Sequence, residues 1–375
     1  MYKLSFLFLI FSIFCKSQTS SIEYTYNFLD QKTIPVYKFW KQYVEYRATN
    51  NELYKSMWKE DEQDLIISAS GFNPNLYEMF TKNKLLYIKE LPDNKFEVSS
   101  MFYWIQDEDN VNLIAIVKYL ISKSDDKYYF ENYLDYSTKD WKNKSVGFIQ
   151  YYYPKEYRFN LNKAKKANKI IRNLNKLFDL KETKISYYIA EDCDKQLDKL
   201  GITNLATTGL MDQCGYFDKE NNILLSTFYA GENYRHEIIH LINKKFPKAH
   251  YLLLTGLSVY HNDENANLGR SMKNLMKDFS EYADQNKDYK FAFTGTFPKI
   301  NNKSGTEYLI GFMLIDKILE VGGKDLLIEA LNNIKNNGDL ETFIIEKLKV
   351  TNEDQLIRNL GKNVSRGHFK FKIEL

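Results

Sequence analysis

Five histidines occur in the 375 residues, and two of them fall in the run His236-Glu237-Ile238-Ile239-His240. On a helix these two imidazoles project from one face, with Cβ atoms about 6 Å apart, a spacing that lets two ring nitrogens share one zinc ion. Glu237 lies one step round that helix, where a carboxylate can polarise water on the metal without ligating it. Ile238, Ile239, Leu241 and Ile242 give the helix an apolar side to bury, as a rigid site requires. With 5 His and 49 acidic residues, chance produces the pattern about 0.01 times in such a chain. The competing reading is a surface helix that carries two histidines.

The elements that must hold this motif are legible around it. A strand is predicted at 221–228, NNILLSTF, followed by helices at 232–243, 251–260, 270–284 and 306–321, then three short amphipathic helices to residue 360. Upstream, 162–179 places Ala164, Ala167, Ile170, Ile171, Leu174 and Phe178 on one face with Lys on the other, and 184–190 reads as a short strand. Earlier still, Tyr37, Trp40, Tyr43, Val44, Leu53 and Trp58 recur at helical spacing over 34–58. Then KLLYIKELPDNKFEVSSMFYWIQ alternates about Pro92-Asp93-Asn94, a hairpin signal, and NLIAIVKYLIS, DDKYYFENYLDYS and SVGFIQYYYP continue as strands. A helix followed by an antiparallel meander predicts an α+β module over 19–155. Its element order resembles the nuclear-transport-factor-like or cystatin-like fold. Tyr and Phe crowd this stretch, where strands favour them, so they mark a sheet more than a ligand site.

Residues 1–14, MYKLSFLFLIFSIF, carry one cation and an apolar run too short to span a bilayer, with polar KSQTSS after it. The segment reads as a signal peptide over 1–18, cleaved near Ser17 or Gln18, so the mature chain is expected to be secreted or periplasmic. Bulky Phe14 argues against a lipoprotein anchor at Cys15. No later segment reads as a membrane span. Removal of Cys15 leaves Cys193 and Cys214, which in an oxidising compartment either pair or stay as two buried thiols. With 52 Lys plus Arg against 49 Asp plus Glu, the net charge of +3 gives no electrostatic basis for binding nucleic acid.

The succession KISYYIAEDCDKQLDKLG, TTGLMD, NNILLSTF, YRHEIIHLINKKF and LLLTGLSVY, over roughly 162–360, resembles the peptidase MA-like gluzincins of exported bacterial proteins. The resemblance implies a zincin-like, mostly helical metallopeptidase domain over 156–375. It also implies one zinc held by His236 and His240, with Glu237 as general base in hydrolysis of a peptide or protein substrate. An edge strand beside the metal helix, read here as 221–228, would receive extended substrate. In that family a Glu-Gly-Leu-Ala run on the next helix supplies the third ligand; this chain has Thr255-Gly256-Leu257-Ser258. Thr255 leaves the site one carboxylate short.

Substitutes lie nearby in His250, His261, Asp263 and Glu264, although their simpler reading is solvated surface. His261 falls about 240° round a continuous helix from Thr255, so only a loop carboxylate could fold back. Downstream, Tyr308 could stabilise an oxyanion, although Tyr308, Phe312, Ile315 and Leu319 also form an ordinary buried stripe. Two functional readings follow. Intact His236, Glu237 and His240 favour a zinc peptidase. Thr255 favours a pseudo-peptidase kept as a binding or scaffold module.

Overall fold

The computed structural model of the chain describes residues 29–49, 51–60, 62, 64–65, 82–105, 111–181, 184–205, 214–260, 271–295, 297–300 and 304–365. The signal-peptide segment, Cys15, the TTGLMD run, His261, Asp263 and Glu264 lie outside these residues. Helices and both antiparallel and mixed sheets make the fold α+β. Contacts divide it into two units, Met1–Ser137 with Leu197–Gly209, and Thr138–Gln196 with Leu210–Leu375.

In the first unit, α1 (Ile34–Ala48) has Pro35 in its first turn and buries Val36, Tyr37, Trp40, Tyr43 and Val44. It stops ten residues short of the expected end. The Asn51 side chain accepts the Leu53 N–H and starts a separate 3₁₀ turn, Glu52–Met57. Strands β1 (Lys82–Leu91), β2 (Lys95–Ile105), β3 (Val111–Ser124) and β4 (Lys127–Glu131) form an antiparallel meander in that order. Positive φ at Asp93 and Asn94 (61° and 54°) and at Asp125 and Asp126 (48° and 62°) makes its tight turns. Tyr43 of α1 packs on Phe130 of β4 at 4.4 Å between ring centroids, and Tyr119 of β3 joins at 5.7 Å. The strand expected through residue 137 ends at Glu131, because Tyr133–Ser137 turns into a short helix, α2.

The second unit begins with β5 (Lys142–Val146) and β6 (Ile149–Tyr153), a hairpin turned at Gly147 with φ 61°. This hairpin was expected to close the N-terminal meander near residue 155. Instead β6 pairs in parallel with β7 (Ile185–Ala190) through the crossover helix α3 (Leu161–Phe178). Ile149, Tyr151, Ile185, Tyr187 and Ile189 share one buried face with the apolar stripe of α3. Helix α4 (Cys193–Lys199) leads to β8 (Ile202–Leu205), which returns to pair with β3 in the first unit. Then β9 (Tyr216–Asp218) and β10 (Ile223–Thr227) complete a mixed sheet of order β5-β6-β7-β10-β9.

The remainder is helical. The chain runs through α5 (Arg235–Ile239), a 3₁₀ turn (His240–Lys244), α6 (Tyr251–Tyr260), α7 (Met272–Gln285) and the small hairpin β11 (Lys299–Ile300) and β12 (Ser304–Gly305). It closes with α8 (Glu307–Asn333), α9 (Asn337–Glu346) and α10 (Glu353–Ser365). Gly323, at φ 59° and ψ −150°, kinks α8 near the end expected from the sequence. Helices α6 and α8 touch backbone to backbone at Gly256 and Gly311, where a Cβ on Gly311 would lie 2.7 Å from the Leu252 carbonyl oxygen. No helix among the described residues is long and apolar enough to cross a membrane.

Candidate metal centre

The motif helix is placed by the loop that feeds it. From β10 the chain turns at Gly231, φ 62°, so the helix expected from residue 232 starts at Arg235. Sheet side chains fix that turn. The Tyr187 hydroxyl donates to the Gly231 carbonyl at 2.7 Å and accepts the Tyr234 N–H at 2.9 Å. Ser226 Oγ donates to the same carbonyl at 3.1 Å, and Tyr151 donates to the Glu232 carbonyl at 2.9 Å. The fully buried Glu232 side chain accepts the Asn160 N–H at the start of α3. Burial holds the phenols of Tyr151 and Tyr187 well above their ordinary pKa, so both remain donors.

The helix tightens to 3₁₀ at His240, yet the two imidazoles stay side by side, ring centroids 5.1 Å apart. Between them in sequence, Glu237 is buried, and its carboxylate accepts the Phe217 N–H. Burial pushes this carboxyl from 4.5 up to about 8, against the pull of that N–H. Phe217 sits on β9, opposite Leu224 of β10, and because its N–H turns to Glu237 it faces the open side of the sheet. The strand expected at the edge, β10, is therefore interior with all five residues buried, and β9 is the edge. Three residues carry no readable period, which hid β9 in the sequence. Gly215 permits the approach: a Cβ there would collide with the Tyr234 ring and lie 3.1 Å from Glu237 Cγ.

One residue before Gly215, Cys214 is bonded to Cys193, with Cα atoms 5.7 Å apart. The disulfide thus ties the entry of β9 to α4. Tyr308, at the start of α8, brings its ring to 6.3 Å from His236. Burial raises its pKa, and the charges of Glu307 and Glu237 add to that. Tyr234 lies on another side of His236, also at 6.3 Å.

His240 is pushed down to about 4 by burial, partly offset by Asn243, so the ring is neutral as a metal ligand must be. Asn243 Nδ2 lies 3.3 Å from His240 Nδ1, while Asn243 Oδ1 is buried without a partner. A half-turn of that amide brings Oδ1 to the ring, where it would hold Nδ1–H and leave Nε2 free to ligate. His250 is excluded as a substitute ligand. Its Nδ1 accepts the Leu252 N–H at 3.2 Å, capping α6, so Nε2 carries the proton and donates to Asn337 Oδ1 at 2.8 Å.

The helix-borne departure expected at Thr255 falls on a half-buried residue. The hydroxyl that meets the motif is one turn further on: Ser258, fully buried, sets Oγ 3.4 Å from His236 Nε2. Nothing in the run TGLS distinguishes the two before the rotation of α6 is known. Two imidazoles, a buried carboxyl and a hydroxyl fit a zinc ion, with one anionic ligand fewer than usual. Among the described residues, no group of three or more His, Cys, Asp or Glu is placed to hold a metal. A separate cavity of about 660 Å³, lined by Ile171, Leu180, Leu241 and Lys244 among others, contains none of the three motif side chains. No protein-family model matches the chain, and no curated protein sequence matches it.

Proposed function

We propose that the second unit is a gluzincin-like zinc peptidase domain of an exported chain, hydrolysing peptide bonds in a peptide or protein substrate. The observation that carries this reading is Glu237. It is a buried carboxyl one helical step from two imidazoles on one face, held by a backbone N–H of the sheet's edge strand. His236 and His240 would hold the ion through ring nitrogens. When bound, zinc supplies a Lewis acid that polarises a carbonyl and acidifies water. Glu237 takes a proton from the attacking water and delivers it to the amide nitrogen as the C–N bond breaks. Tyr308, kept protonated by burial, donates to the developing oxyanion. With its N–H held by Glu237, Phe217 on the edge strand β9 would leave its outward carbonyl to pair with an extended substrate. The Cys193–Cys214 bridge suits an oxidising compartment, in line with export.

A pseudo-peptidase that only binds is the second reading, favoured by the lack of a third acidic or imidazole ligand among the described residues. The test compares the mature wild type with Glu237→Gln and Thr255→Glu on a mixed peptide library with zinc added, measuring zinc per chain alongside cleavage. The peptidase reading expects cleavage by wild type and none by Glu237→Gln at equal zinc content. Silence of the wild type with zinc bound, whether or not Thr255→Glu gains activity, overturns it in favour of the lapsed enzyme.

A further inference from the structure

We infer that Ser258, not Thr255, supplies the third protein donor beside His236 and His240, through its neutral hydroxyl oxygen. The inference rests on the zinc reading above and names a ligand that reading leaves open.

Distance decides between two roles for this hydroxyl. Ser258 Oγ lies 3.4 Å from His236 Nε2. A hydrogen bond between hydroxyl and imidazole closes to about 2.7–3.0 Å, so 3.4 Å is long for one. Two donors on one tetrahedral zinc, with bonds of about 2.0–2.1 Å, stand about 3.3–3.4 Å apart. The observed separation matches the spacing of two ligands on a shared ion.

Proton placement agrees. Ser258 donates its hydroxyl hydrogen to the Thr255 carbonyl at 2.7 Å, one turn back on α6. The lone pairs are left to accept, and a metal needs lone pairs. Side-chain freedom is small as well, since Ser258 is fully buried and a buried hydroxyl off its partners is costly. Thr255 lies about 60° round the helix from Ser258 and is only half-buried. Helix α6 is itself pinned by the Gly256–Gly311 contact, which fixes how closely Ser258 approaches the motif. The resulting set is two imidazoles and a hydroxyl, all neutral. It binds metal less tightly than a set with a carboxylate, and a thiolate at the same position would bind more tightly.

Cobalt(II) serves as the optical probe, because a thiolate ligand gives it an intense near-ultraviolet charge-transfer band that nitrogen and oxygen donors do not. The mature, disulfide-intact chain would be titrated with Co(II) and with Zn(II) in four forms: wild type, Ser258→Cys, Ser258→Ala and Thr255→Cys. Ser258→Cys is close to isosteric, and circular dichroism with free-thiol counting establishes that each form is folded and correctly bridged. The expected result is one Co(II) per chain with the thiolate band in Ser258→Cys only. Affinity rises by at least about ten-fold in Ser258→Cys and falls by at least about ten-fold in Ser258→Ala. A band in Thr255→Cys and none in Ser258→Cys overturns the assignment, as does unchanged affinity in Ser258→Ala. Absence of metal binding in both wild type and Ser258→Cys instead overturns the zinc reading, and this assignment with it.

Discussion

The burial of Glu237 has a thermodynamic consequence that needs no substrate. In the metal-free chain its pKa is about 8, against 4.5 for the ordinary side chain. A carboxyl raised on folding is held protonated by the native state while the unfolded chain ionises. Stability is therefore lost as pH climbs from 4.5 toward 8 and levels off above. At about 1.4 kcal/mol per pH unit, the loss between pH 5 and pH 8 comes to about 3–4 kcal/mol, a large part of a typical domain's 5–15 kcal/mol. Glu237→Gln removes the titration, keeps the size and still offers an oxygen to the Phe217 N–H. Urea denaturation of the EDTA-treated wild type and variant, followed by far-ultraviolet circular dichroism across that range, isolates the difference. The variant is expected to gain on the wild type by about 3–4 kcal/mol from pH 5 to pH 8. Added zinc should flatten the wild-type curve, since a divalent cation beside the carboxylate favours its charged form. Parallel pH curves for the two proteins would refute the claim that this carboxyl is buried without a counter-charge.

Two further perturbations test how the site is held. In Gly311→Ala the new Cβ would sit 2.7 Å from the Leu252 carbonyl oxygen and 2.9 Å from Gly256 Cα. Helices α6 and α8 must then part by about half an ångström or more, at a cost of about 1–3 kcal/mol; a lowered Tm together with weakened zinc binding is expected, and an unchanged Tm contradicts the close contact. Tyr187→Phe leaves the Gly231 carbonyl to Ser226 but strips the Tyr234 N–H of its acceptor. A loss of about 1–3 kcal/mol should appear, with faster amide exchange at Tyr234 and weaker zinc binding; exchange at the wild-type rate would show that the phenol does not hold this loop.

Local features were readable from residue types, and long-range ones were not. The four-residue spacing of His236 and His240 brought the rings together even though half of that helix is 3₁₀. Helix α6 has the expected bounds, because an apolar run between His250 and the polar residues after Tyr260 leaves little choice. The hairpin of β5 and β6 alternates like its neighbours in sequence, but pairing partners are chosen by which buried face is available, and that depends on α3 and β7. The same limit hid β9 behind β10. It also hid Ser258 behind Thr255, since the phase of a buried helix against its neighbours is set where Gly256 meets Gly311.

The aromatic crowding takes on a different meaning in this light. FIQYYYP was expected to mark a sheet rather than a site, and strand propensity does account for the residue type. It does not account for the hydroxyls. Tyr151 and Tyr187 are register partners across β6 and β7, with ring centroids 4.9 Å apart. Phenylalanine would fill that core equally well, whereas a buried phenol is costly unless it is hydrogen-bonded. Both phenols find their partners on the backbone at Gly231, Glu232 and Tyr234, the residues that launch the motif helix. Two adjacent strand positions thus convert a polar cost into the placement of His236. A loop with Gly231 at its centre would otherwise have many ways to run. The sheet is the device that orients the candidate centre, and its tyrosine hydroxyls are the points of attachment.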